Sequence, residues 1–147
     1  MKEQGKYINE PLGRRLSSIG RCTLAILDCK LSHLDIDRSF YPLLLIEHGD
    51  GKLAQQDLCY LLKTDKVSVL RIVDYLSENG YVTREQDSND KRKYCLVATI
   101  KAKNEIENIK KAMQEVEEQV YKGLNEIEIL NFMQTLDKIE QNISINS

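Results

Sequence analysis

The chain has 147 residues, 41% of them apolar and 30% charged, with a net charge of −2 and a pI near 5.8. That length fits one domain with a packed core, and the composition excludes a disordered chain. The acidic balance excludes a broad basic face, so any contact with nucleic acid must be local. No apolar run reaches the roughly 18–20 residues of a membrane span. The first residues, "MKEQGKYINEP", hold no apolar segment of a secretory signal. The expectation is a cytoplasmic protein with no membrane partner. Cys22, Cys29, Cys59 and Cys95 form no CxxC pair and read as buried thiols rather than a disulfide frame.

In chain order, Pro11 suits a first helical turn. Leu12, Leu16, Ile19, Thr23 and Ile26 recur at helical spacing, and Leu24, Leu27, Leu31 and Leu34 form a second stripe. A helix over about 11–33, apolar on two faces, is expected between two partners, one of them a second subunit. In "DRSFYPLLLIEHGDG", Ser39 or Asp37 can cap a short helix that Gly49 and Gly51 stop.

"KLAQQDLCYLLKTDKVSVLRIVDYLSENG" predicts two short helices joined at Thr64–Asp65, with Val69, Ile72, Val73 and Leu76 on the inner face of the second and Gly80 as its stop. This reads as helix-turn-helix. The outer face carries Lys66, Val67, Ser68, Leu70, Arg71, Asp74 and Tyr75. Its first two turns are small, polar or basic, as a helix entering a major groove requires. An ordinary solvated face is the plainer alternative.

Two strand-like runs follow, Tyr81–Arg84 and Tyr94–Ala98, around a charged tip. Helix-turn-helix followed by a hairpin is the winged-helix order. The tip sets Lys91, Arg92 and Lys93 against Asp87 and Asp90. Acid beside base fits a carboxylate that holds an arginine in one geometry. Arg84 and Asp90 are expected to pair across the hairpin as wing support, leaving Arg92 to enter the minor groove. A solvated charged turn is again the plainer reading.

These residues resemble the MarR family of transcriptional regulators. The wing pattern of that family is matched by Leu76, Gly80, Tyr81–Val82, Arg84, Asp87, Asp90-Lys91-Arg92 and Thr99. Ala98 and Ala102 stand where the family often has Leu and Gly, and Leu70 where a small hydroxyl residue is common. The resemblance implies a mainly α fold with a small β wing: a winged helix-turn-helix part over about 35–100, flanked by dimerisation helices over about 9–34 and 100–145, in one domain spanning 1–147. It implies a homodimer binding a pseudo-palindromic double-stranded operator, as a repressor released by a small-molecule effector. Carried over residue by residue, the DNA contacts are Ser68 and Arg71 on the recognition helix and Arg92 on the wing, with Asp90 supporting it. Lys66, Lys91 and Lys93 complete the set of expected DNA-binding residues.

Beyond the wing, Thr99 can cap a helix bearing Ile106, Ile109, Met113, Val116 and Val120. Gly123 interrupts it. Asn125 and Glu128 fit a capping box before Ile127, Leu130, Met133, Leu136 and Ile143. No enzyme motif, metal-ligand spacing or cofactor fingerprint stands in the sequence, so no catalytic residue, metal or cofactor is expected. Two rivals remain, a winged-helix adaptor that binds only protein and a thiol-based redox sensor acting through Cys22.

Overall fold

A computed structural model describes residues 9–145. Residues 1–8, within the stretch searched for a signal segment, lie outside the described residues. Six helices and three strands follow in chain order: α1 (Leu12–Lys30), α2 (Phe40–His48), β1 (Leu53–Ala54), α3 (Gln55–Leu61), α4 (Lys66–Glu78), β2 (Val82–Gln86), β3 (Tyr94–Ala98), α5 (Ile100–Val120) and α6 (Glu126–Ile145). The fold is mainly α with a small β wing. The chain divides into two compact units, the first ending at Met113 and the second beginning at Gln114.

The first unit holds α1 to β3 and the start of α5. Its core is closed: Ile36, Leu43, Ile46, Leu58, Val69, Val73, Leu76, Leu96 and Ile109 are fully buried. The inner face of α4 is as expected, because Val69, Val73 and Leu76 recur at helical spacing. The expected hairpin is present, with Arg84 opposite Leu96 and Val82 opposite Ala98. A third strand, β1, pairs with β3 through Leu53↔Leu96 and Ala54↔Cys95, giving the antiparallel order β1-β3-β2. Two residues are too short to leave a period-2 signal, so the sequence showed only the hairpin.

Several ends are tied down as the local chemistry demands. Gly80 adopts φ +78°, which a Cβ would oppose. There the Gly80 N–H donates to Ser77 O at 3.0 Å and the Tyr81 N–H to Leu76 O at 2.9 Å, the paired bonds of a Schellman stop. The Lys101 ammonium donates to Asn79 O at 2.8 Å and sits 4.3 Å from the Tyr81 ring centre. Thr99 Oγ1 donates to Gly80 O at 2.6 Å and accepts from Ala102 N–H at 3.3 Å, fixing the start of α5 to the end of α4. Helix α1 stops at Lys30, short of the expected 33, and turns occupy 31–38. Ser39 precedes α2 and is buried, but its side chain makes no capping bond.

The second unit holds the rest of α5 and α6. Its capping box is complete: Asn125 N–H donates to Glu128 Oε2 at 2.8 Å, and Glu128 N–H to Asn125 Oδ1 at 2.9 Å. Val116 of α5 is buried, but much of the apolar surface of α6 lies open. Ile127, Leu130, Phe132, Met133 and Ile143 are all exposed.

Candidate nucleic-acid interface

Helix α4 begins at Asp65, whose carboxylate accepts from Ser68 N–H and from Ser68 Oγ–H, each at 2.8 Å. These bonds hold the Asp65 carboxyl below the ordinary carboxylate range, the backbone bond from Ser68 first. The cap also occupies the hydroxyl of Ser68, which is half-buried. Lys66 and Arg71 are exposed beside it, and between them Val67 and Leu70 stand exposed as well. With about 100° per residue, Val67, Leu70, Arg71 and Asp74 form the outward stripe opposite Val69, Val73 and Leu76. The site expectation included Lys66, Ser68 and Arg71 but passed over the two apolar members of that stripe.

The wing answers why acids crowd a basic tip. Asp87 Oδ1 accepts from Asn89 N–H at 2.7 Å and Asp90 N–H at 3.1 Å. Its Oδ2 accepts from the Cys95 thiol at 3.6 Å. Asp90 Oδ1 accepts from Arg92 N–H at 3.0 Å, and the Lys93 N–H donates to Asp90 O at 2.9 Å. Gln86 Nε2 donates to Lys91 O at 2.6 Å. The two acids therefore shape the turn through its backbone, while Lys91, Arg92 and Lys93 project their side chains into solvent. Backbone donors from Asn89 and Asp90 hold the Asp87 carboxyl below its usual value. Burial, and then the Asp87 carboxylate, push the Cys95 thiol up, which keeps it protonated as the donor.

One expected pairing is corrected. Arg84 does not meet Asp90; its guanidinium pairs with Asp74 of α4, Nη2 to Oδ1 at 2.5 Å. Arg84 lies at the helix-facing register of β2, so its reach is across to α4 rather than along the hairpin to the tip. The bridge ties the wing to α4, and Asp74 is the partner that sequence reasoning missed. Its signal was available in part, since Asp74 is an acid on the outer face of a helix adjacent to β2. A cavity of about 690 Å³ opens between α3 and the sheet, bringing Arg84 and Lys93 together with Tyr60 and Tyr94. No group of His, Cys, Asp and Glu able to hold a metal ion occurs among the described residues.

Residues 37–93 match the MarR family model. The whole fold also matches solved structures. The transcriptional regulator SlyA superposes with a TM-score of 0.86 at 25% identity, over 93% of this chain and 96% of that one. MarR superposes with a TM-score of 0.77 at 26% identity, over 97% of this chain and 98% of that one. A MarR family regulator from Listeria monocytogenes, solved in complex with a 26-mer DNA, matches at 24% identity with a TM-score of 0.84, over 94% and 92%. The SlyA and Listeria proteins are described as transcriptional regulators. From the helix-turn-helix through the tied wing to the flanking helices, the chain is similar in fold to winged helix-turn-helix transcriptional regulators of the MarR and SlyA type, and its residues 37–93 match the MarR family model.

Proposed function

We propose that the protein is a homodimeric, sequence-specific binder of double-stranded DNA that represses transcription until a small-molecule effector releases it. The observation that carries this reading is the division of labour at the wing tip. One carboxylate oxygen each of Asp87 and Asp90 accepts from the turn backbone, and three consecutive cations are left to the outside. A solvated turn has no need of that order; a phosphate-tracking or minor-groove arm does. In this reading α4 enters the major groove, where Lys66 and Arg71 contact DNA and Ser68 lies at the protein–DNA boundary. Arg92 and its neighbours Lys91 and Lys93 grip the flank. The Arg84–Asp74 bridge keeps helix and wing in register. A family relative of the same fold is solved with DNA, which supports the partner.

The open apolar surfaces support dimerisation. Leu12 and Ile19 of α1 are exposed in the first unit and Ile127 and Leu130 of α6 in the second, with Ile127 as much as 70% exposed. Surfaces of this kind mark interfaces. Two copies would place two α4 helices about one turn of DNA apart, roughly 10 base pairs, over a pseudo-palindrome. For the effector, a cavity of about 310 Å³ lies where the end of α1 meets the following turns and α4, lined by Asp28, Leu31, Asp35, Asp37 and Tyr75 among others. Asp28 Oδ1 is buried there without a hydrogen-bond partner among the described residues, while its other oxygen accepts from Arg38 Nε at 3.0 Å. Burial, with Asp37 and Asp35 nearby, raises the Tyr75 hydroxyl pKa. An effector seated in this acid-lined space would carry a cation or hydrogen-bond donors.

The test is selection of bound duplexes from a random library, followed by titration of the selected duplex at several salt concentrations. A shared inverted-repeat sequence and affinity that falls steeply with salt are expected. A protein that enriches no sequence and shows no duplex affinity is an adaptor instead.

A further inference from the structure

We infer that Val67 and Leu70 are a base-reading apolar pair and that they read the C5-methyl groups of thymine. The inference rests on the DNA-binding reading above and adds the chemistry that each half-site must present to α4. Val67 is 59% exposed and Leu70 45% exposed, on a helix whose inner residues Val69, Val73 and Leu76 are fully buried. The core therefore has no call on the outer pair. Three residues apart, they sit one turn above each other on the outward stripe.

Three observations select the occupant. The pair is bracketed by the cations Lys66 and Arg71, which complements a polyanion. Two side chains make a patch far smaller than the roughly 800 Å² per partner of a stable protein interface, so a protein surface is a poor fit. The neighbouring hydroxyl of Ser68 already donates to Asp65, so the first two turns present apolar atoms, not a polar reader, at their centre. The apolar group that a base pair offers in the major groove is the thymine methyl.

The experiment uses the full chain and a duplex selected from a random library. Each thymidine is replaced in turn by 2′-deoxyuridine, which keeps every hydrogen-bonding group and removes only the methyl. Affinity should fall about fourfold at one or two positions in each half-site and stay level elsewhere; fourfold corresponds to about 0.8 kcal/mol of apolar burial. Leu70→Ala should erase the uridine penalty at one of these positions and Val67→Ala at the other. Both sites are exposed, so folding should be retained, and circular dichroism checks it. Uridine tolerated at every position, a selected site without thymine, or a penalty that persists undiminished in both variants would overturn the inference while leaving DNA binding intact. Selection of no duplex at all would instead overturn the DNA-binding reading and this inference with it.

Discussion

The winged part and helix α6 carry similar apolar residues to opposite ends. In the winged part Leu58, Val73, Leu76 and Leu96 are fully buried. In α6 Ile127, Leu130, Phe132 and Ile143 lie open over a helix of 20 residues, about 30 Å long. The first region is finished by its own chain. The second has a complete capping box, yet these four apolar side chains stay exposed. Local chemistry can therefore be satisfied where tertiary burial is not, and the missing burial is what the proposed second subunit would supply.

Substitutions on the two sides should separate accordingly. Leu96→Ala opens a cavity at the centre of the sheet and should cost about 2–5 kcal/mol in chemical unfolding. Leu130→Ala removes an exposed side chain and should leave α6 helical, since Ala is the better helix former, yet shift the mass by light scattering from two chains toward one as the protein is diluted. Deleting residues 125–147 should give monomer or aggregate. A mass of one chain for the intact protein at micromolar concentration would remove the basis of the contrast.

Within the winged part the acids and bases of the tip divide in the same way, inward and outward. Arg92→Ala should weaken duplex binding by about 1–3 kcal/mol. Asp90→Ala should weaken it as well, by about 1 kcal/mol, because Asp90 accepts the Arg92 N–H. Simple electrostatics gives the opposite sign, since a negative charge leaves the DNA surface. Tighter binding by the Asp90 variant in a fluorescence titration would show that the acid is only a solvated turn residue.

Smaller effects sharpen the picture. Asp65→Ala deletes the cap of α4 and should lower the midpoint of chemical unfolding. The carboxyls of Asp65 and Asp87 both lie below the ordinary aspartate value of 3.8. Each therefore adds stability that is present above the unfolded pKa and lost as pH falls through the lowered folded one. Midpoints below 3.8 in a carboxyl-resolved NMR titration are expected, returning toward 3.8 for Asp65 in Ser68→Ala, which removes the hydroxyl but keeps the backbone donor. The smallest expected effect is none at all: mild peroxide should leave DNA binding unchanged. Of the four cysteines expected to be buried only Cys95 is; Cys22 and Cys29 are exposed, but seven residues apart on one helix they stand about 10.5 Å apart along its axis, beyond the roughly 7 Å that a disulfide spans. A thiol-reversible loss that disappears in Cys22→Ser would make the protein a redox sensor.

Legibility in the sequence followed the range of the interaction. The α4 cap at Asp65, the stop at Gly80 and the Asn125–Glu128 box are local, and residue type with spacing predicts them. The hairpin was legible from its two strand-like runs. The Arg84–Asp74 bridge spans ten positions and depends on which strand face meets α4, so charge pattern alone favoured the nearer-looking Asp90. The backbone role of Asp87 was hidden because an Asx-type turn and a solvated acid share one residue type. Val67 and Leu70 were visible on the outer face, but their significance depended on knowing that Ser68 is occupied and that the core is complete without them.

The central claim is that this winged helix grips duplex DNA through its own cations. The most direct measurement is the affinity of the intact protein for its selected duplex as a function of salt, with Arg92→Ala beside it. The account predicts a linear fall of log affinity against log salt, with a slope near −0.9 for each phosphate neutralised, and a shallower slope in the variant. Affinity independent of salt, or no duplex affinity in the parent, would contradict it.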